Sequence, residues 1–134
     1  MIGEMLGELT GKVVNRRILH HYGAELKIET TMESKGTLLG EEVTLLATFW
    51  SKERPHGGTF VMGHGILTTK TGGKIVAKGS GISVPGTGPG LHMRGARYMQ
   101  TDIPALSRLN NVVGMFEVEI SPDGTVKDKT WEWK

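Results

Sequence analysis

The chain has 134 residues, with 16 Lys or Arg against 14 Asp or Glu, a net charge of +2 and no Cys. That is one domain's worth of polypeptide, residues 1–134. The missing Cys excludes disulfides, thiolate catalysis, iron–sulfur clusters and Cys-ligated zinc. So small a net charge argues against a nucleic-acid partner, and no apolar run nears the roughly 18 residues of a membrane span.

Met1–Thr10 carries Glu4 and Glu8 and no basic stretch. It does not read as a signal peptide, so a cytoplasmic location is expected. Gly11–His20 reads as a first strand. Beyond Gly23, Leu26, Ile28, Thr30 and Met32 share one parity, and Glu25, Lys27, Glu29 and Glu33 take the other. A period of two with one apolar face is a half-buried strand. Gly36 and Gly40 interrupt and end it. Val43–Trp50 is a β-branched and aromatic run. Arg54-Pro55-His56-Gly57-Gly58 turns the chain into Thr59–Thr69, and Thr71-Gly72-Gly73 turns it again into Lys74–Val84. Pro85–Gly90 is the strongest breaker, followed by Leu91–Thr101 as a strand. A short helix is predicted over residues 103–109, capped by Asp102, with Pro104 in its first turn and Asn110-Asn111 ending it in a left-handed conformation. Ser121-Pro122-Asp123-Gly124 is a hairpin turn into Val126–Trp133.

About eight sequential strands with short turns predict an all-β fold: an antiparallel up-and-down barrel with one short helix before its last two strands. Closure removes exposed edges. A two-sheet sandwich is the competing architecture. Gly63, Gly65, Gly79 and Gly81 lie inside strand patterns, where a tightly coiled small barrel needs bends and close approaches. They favour the barrel.

The segments Arg94-Gly95-Ala96-Arg97-Tyr98-Met99-Gln100-Thr101, Leu109-Asn110, Phe116-Glu117 and Trp131-Glu132-Trp133-Lys134 resemble a set of uncharacterised small prokaryotic proteins. These share a Gly-rich meander, an Arg-Gly-Ala segment and a Trp-Glu-Trp end. The resemblance runs from about residue 11 onward and implies no activity. In strand count and rhythm the chain is also similar to calycin and allene-oxide-cyclase-like barrels. That likeness implies a central cavity for a small apolar ligand, with no catalytic motif matched.

Five histidines, His20, His21, His56, His64 and His92, invite a metal reading. Adjacent His20 and His21 face opposite sides of a strand, and no H-x-H or H-E-x-x-H spacing exists. No metal and no cofactor are expected, although a site from separate strands, such as His64 with His92, stays open. The glycines at 79–90 are followed by a strand instead of a helix, which argues against a phosphate loop.

Strand six is the most informative segment. Leu91, Met93, Gly95, Arg97 and Met99 share one parity, apolar apart from Arg97, and His92, Arg94, Ala96, Tyr98 and Gln100 share the other. Either the second face is solvated, or it lines a cavity and supplies an anion anchor, a phenol and an amide. The candidate ligand site is therefore Arg94, Tyr98 and Gln100, with His64 from strand four as neighbour. It would suit an apolar ligand with an anionic or enolic group. Catalytic residues are not legible: Gly79-Ser80-Gly81 is no nucleophile elbow, Asp102, Asp123 and Asp128 are placed in or near turns, and Glu29, Glu117 and Glu119 read as outer-face residues.

The third strand is apolar on both faces, with Val43, Leu45, Ala47 and Phe49 against Leu46 and Trp50. Either the helix covers it or another subunit does, and a homo-oligomer, most simply a dimer, is expected. Trp131 and Trp133 share a face and read as core or interface packing. Lys127 and Lys129 share that parity, which keeps single-stranded nucleic acid as a lesser reading. Three functions fit: a small-molecule-binding barrel, a cyclase or isomerase acting on an apolar substrate, or a scaffold with a filled interior.

Overall fold

The computed structural model describes residues 1–19, 26–83 and 88–134. Its strands are β1 (Ile2–Leu19), β2 (Lys27–Leu38), β3 (Glu41–Glu53), β4 (Thr59–Thr69), β5 (Lys74–Ser83), β6 (Leu91–Thr101), β7 (Val113–Ile120) and β8 (Thr125–Trp133). They close into one antiparallel barrel in chain order, β8 pairing back onto β1. The sandwich is thereby excluded. Among the described residues helix geometry appears once, in a 3-10 helix over Pro104–Asn111. The expectations placed on His20, His21, Gly23 and Glu25, on Val84 as the end of the fifth strand and on residues 85–87 of the Pro/Gly breaker lie outside the described residues.

The inside–outside alternation follows the parity of the sequence. In β2, Thr30 and Met32 are buried and Glu33 is exposed. Outside, Glu29 takes a bidentate contact from Arg17 across the β1–β2 pair, with Nε at 2.9 Å. β1 begins nine residues earlier than the sequence pattern suggests. Its first half closes the barrel against β8 and its second half pairs with β2, with bulges at both regions. Those bulges scramble the two-residue rhythm that would have revealed the strand.

The turns follow their chemistry. Gly57, Gly58, Gly72 and Gly124 all adopt positive φ. At Gly124 the chain closes with its N–H on Ser121 O at 2.9 Å. Asp123 Oδ1 accepts from the Thr125 amide at 3.0 Å, and that backbone hydrogen bond holds its carboxyl below the ordinary aspartate range.

The 3-10 helix plugs one end of the barrel. Leu106 and Leu109 are 1% and 0% exposed and join Leu6, Leu9, Leu38, Val43, Leu45, Leu67, Ile75 and Met99 in one apolar cluster. Asp102 does not cap it. The residue before the helix is Ile103, extended and without a side-chain cap. Thr101 fixes this entry instead, its Oγ1 accepting from Ile103 N at 3.1 Å and donating to Lys74 O at 2.8 Å. Asn110 does not adopt the left-handed conformation either. Its side chain reads the backbone of Thr101, accepting from the amide at 2.8 Å and donating to the carbonyl at 3.0 Å. The helix is thus clipped to the end of the strand that leads into it. Arg108 adds a charged strap, bonding Glu132 at 2.7 Å and pairing with Glu4. These two carboxylates, Glu132 first, raise its pKa.

A second apolar cluster fills the opposite half: Met32, Phe49, Val61, Met93, Phe116, Val118 and Val126. No described helix is long and apolar enough to cross a membrane.

Candidate functional site: a buried ion pair facing an apolar cavity

In β6 the structure turns inward the parity that contains Arg97. Met93, Met99 and Thr101 are buried, whereas Arg94, Tyr98 and Gln100 are exposed. Arg94 lies 3.7 Å from Glu117 Oε1 on the outer surface, and His92 lies 3.7 Å from Glu119. Tyr98 is 58% exposed. His64 borders the cavity wall between inward-facing Gly63 and Gly65, but it is itself exposed on the outer face. A pocket built on Arg94, Tyr98, Gln100 and His64 would therefore lie on the outside of the barrel and not within it. The physical reason is that the largely apolar parity of Leu91, Met93 and Met99 takes the interior, and its one charge, Arg97, is neutralised there by Asp128.

The partner is Asp128. It lies mid-strand in β8, not near a turn, and is 0% exposed. Arg97 Nη1 donates to Asp128 Oδ1 and to Thr130 Oγ1, both at 2.9 Å. Its guanidinium carbon sits 4.5 Å from the centroid of the Phe116 ring, a cation–π distance. Two glycines make this geometry reachable. Arg97 pairs directly with Gly79 of β5 and with Gly114 of β7. A Cβ on Gly114 would come within 2.8 Å of Thr130 Cγ2 and 3.2 Å of Arg97 Cγ, and one on Gly79 within 3.1 Å of Arg97 Cβ. The arginine stem crosses β7 over the bare backbone of Gly114 to reach β8.

Between the two apolar clusters lies a cavity of about 90 Å³. Leu45, Phe49, Met32, Met93, Met99 and Phe116 supply most of its apolar wall, and Arg97, Asp128 and Thr130 its polar corner. Gly63, Gly65 and Gly79 and the small Ala47 and Ala77 line it too, leaving open the space that larger inward side chains would fill. Asp128 Oδ1 is engaged by Arg97, but Oδ2 is buried with no hydrogen-bond partner among the described residues. An ionised carboxylate oxygen is an acceptor only, and leaving it unpaired in a core costs roughly 1–3 kcal/mol or more.

Among the described residues no group of three or more His, Asp or Glu side chains could hold a metal ion. His64 and His92 both sit on the outer surface, where His92 faces Glu119. Trp131 and Trp133 are also outside, Trp133 at 58% exposure. The 3-10 helix enters the barrel end and leaves the outer face of β3 uncovered, with Leu46 53% exposed.

Asp128 was readable in principle: it shares its parity with Val126 and Thr130, between the outward Lys127 and Lys129. The Arg97–Asp128 contact spans 31 residues of sequence, and no local spacing encodes it.

No family model matches the chain, and no curated protein matches it by sequence. Solved structures share its fold. A protein of unknown function from Clostridium acetobutylicum superposes with a TM-score of 0.81 at 13% identity, covering 99% of this chain and 98% of that one. A β-barrel-like protein from Acinetobacter baumannii gives 0.82 at 12% identity, covering 100% and 96%. An enzyme from Penicillium herquei gives 0.69 at 17% identity, covering 96% and 92%. The chain is thus a small eight-stranded barrel similar in fold to prokaryotic proteins of unknown function and to one fungal enzyme.

Proposed function

We propose that the protein binds a compact, mainly apolar small molecule inside the barrel, oriented by the Arg97–Asp128–Thr130 corner. The observation that carries this reading is the pairing of an apolar cavity with a buried carboxylate oxygen that nothing in the described chain satisfies. Ligand sites are mostly apolar with a few converging polar groups. A volume of about 90 Å³ is well below the roughly 300–1,000 Å³ of drug-sized pockets and nearer the roughly 150 Å³ that admits benzene in an engineered core. The ligand is therefore small. Met32, Met93 and Met99 give the wall some adaptability, because unbranched thioethers repack easily.

Filling the cavity tests this. Ala77 lies on β5 between Gly65 and Met99 and faces inward. Ala77→Leu is expected to abolish binding of small aromatic probes such as toluene and phenol, measured by ligand-observed NMR, while the circular dichroism spectrum stays that of a barrel. Overpacking would cost about 1–3 kcal/mol of stability. Wild-type protein that binds no such probe, or a variant that binds them equally well, would exclude the interior as the site.

The fold match to a fungal enzyme supports a second reading, a cyclase or isomerase in which the same cavity holds a reactive substrate in one conformation. In that reading Asp128 Oδ2 takes a proton from a substrate C–H or O–H, the electron pair stays on the substrate beside the Arg97 guanidinium, and Asp128 returns the proton to the product. A scaffold with a filled interior is the least favoured, because the cavity lies in the centre of the barrel.

We further propose a homodimer through the outer face of β3–β5. Leu46, Ile66 and Val76 are in direct register across the three strands, and Met62 and Ile82 extend the patch, all five at least 40% exposed. Trp50 packs against Phe60 beside it, ring centroids 5.6 Å apart. Exposed apolar patches of this continuity mark interaction surfaces. Sedimentation equilibrium is expected to give a dimer mass for the wild type and a monomer mass for Ile66→Glu. A monomer at every wild-type concentration would remove this proposal.

A further inference from the structure

We infer that the barrel selects a neutral hydrogen-bond donor, a compact ring compound carrying a hydroxyl or N–H group, and rejects anions of the same size. This deepens the binding reading above and rests on it.

The first argument is the polarity of the corner. Oδ1 of Asp128 is occupied by Arg97, and Oδ2 is the acceptor left over, with almost no accessible surface of its own, so a donor reaches it as the adaptable methionine wall repacks around the ligand. A carboxylate oxygen has no proton to offer, so its complement is an O–H or N–H. A ligand bearing only an acceptor, such as an ether or ketone, leaves Oδ2 unpaired and cannot recover the desolvation cost.

The second argument is charge. Among the buried residues described, Asp128 alone carries a charge, and the 16%-exposed Arg97 side chain neutralises it at 2.9 Å. The corner is therefore a closed pair with no surplus positive charge. An anionic ligand would meet the lone pairs of Oδ2, and an uncompensated charge in a low-dielectric core is expensive. Arg97 thus does not play the anion-anchor role that a solitary arginine would.

The third argument is the wall. Phe49 and Phe116 with Met32, Met93 and Met99 line the same cavity, and sulfur–aromatic contacts favour a flat ring. The donor has to sit at the edge of that ring, since the polar groups occupy one side.

The experiment titrates the wild-type chain at neutral pH with four probes of matched size: phenol, toluene, anisole and benzoate. Dissociation constants come from NMR titration, with amide shifts of Asp128 and Thr130 locating the site. Phenol is expected to bind about tenfold or more tightly than toluene and anisole, and benzoate weakest. An apolar cavity without donor recognition would rank toluene above phenol, because phenol is better solvated in water. Toluene or anisole equalling phenol, or benzoate matching it, overturns donor selection while leaving the binding site in place. Failure of all four probes overturns the binding reading and this inference with it. The charge-neutral double variant Arg97→Met/Asp128→Leu should reverse the order, toluene then binding more tightly than phenol. Retention of phenol preference in that variant also overturns the assignment.

Discussion

Asp128→Leu is expected to destabilise the barrel by about 3–5 kcal/mol, the usual cost of removing one partner of a buried ion pair. The loss comes less from the missing bond than from what it leaves behind. Arg97 would keep its charge inside an apolar wall, with Thr130 Oγ1 as its remaining hydrogen-bond acceptor and Phe116 beneath it. The double variant Arg97→Met/Asp128→Leu removes both charges and fills similar volume. It is expected to recover that loss or exceed it, since apolar replacement of a whole buried pair is often neutral or stabilising. Urea unfolding followed by tryptophan fluorescence measures both. Equal destabilisation by the single and the double variant would show that the two groups are not energetically coupled. A stable double variant would also show that folding does not require the wild-type pair.

The second large effect is expected at the plug. Leu109 is 0% exposed and sits at the centre of the cluster that seals one barrel end. Leu109→Ala removes buried methyl groups and leaves a cavity that the surrounding strands can collapse into only in part. A loss of about 2–5 kcal/mol follows. The helix has no side-chain cap of its own. It is held by these two leucines, by the Asn110 clip on Thr101 and by the Arg108 strap. Leu106→Ala/Leu109→Ala should release it, and amide exchange across residues 104–111 should then rise toward that of an unstructured segment. Unchanged exchange there would mean that the polar clips alone hold the plug. Because the plug closes the cluster below the cavity, its loss should also weaken binding of apolar probes without altering the preference for a donor.

The candidate site divides unevenly between what local pattern encodes and what it does not. The parity of β6 was plain in the sequence, but not its direction. The pattern leaves two readings for His92, Arg94, Ala96, Tyr98 and Gln100, a solvated face or a cavity lining, and the candidate ligand site follows from the second. The side that turns inward is set by partners on other strands: bare Gly79 and Gly114 on either side of Arg97, and a carboxylate on β8.

The sequence alone determined the architecture. Period-two alternation, turn chemistry at Gly57-Gly58, Gly72 and Asp123-Gly124, and glycines inside strands specify eight antiparallel strands, joined by short turns, that must bend and close. It also located the helix to within two residues, from Pro104 in its first turn and the polar residues at its ends, although Asp102 does not cap it and Asn110 does not end it in a left-handed conformation. Only the tertiary structure decided which parity of β6 is inside, that the helix plugs an end and leaves the outer face of β3 open, and that Arg97 and Asp128 meet. The reason is one of range. Strand periodicity and turns are consequences of a residue's own dihedrals and its immediate neighbours. Burial of a charge depends on whether an opposite charge is brought to it, and here that partner lies 31 positions away, across a strand whose glycine lets the side chain through.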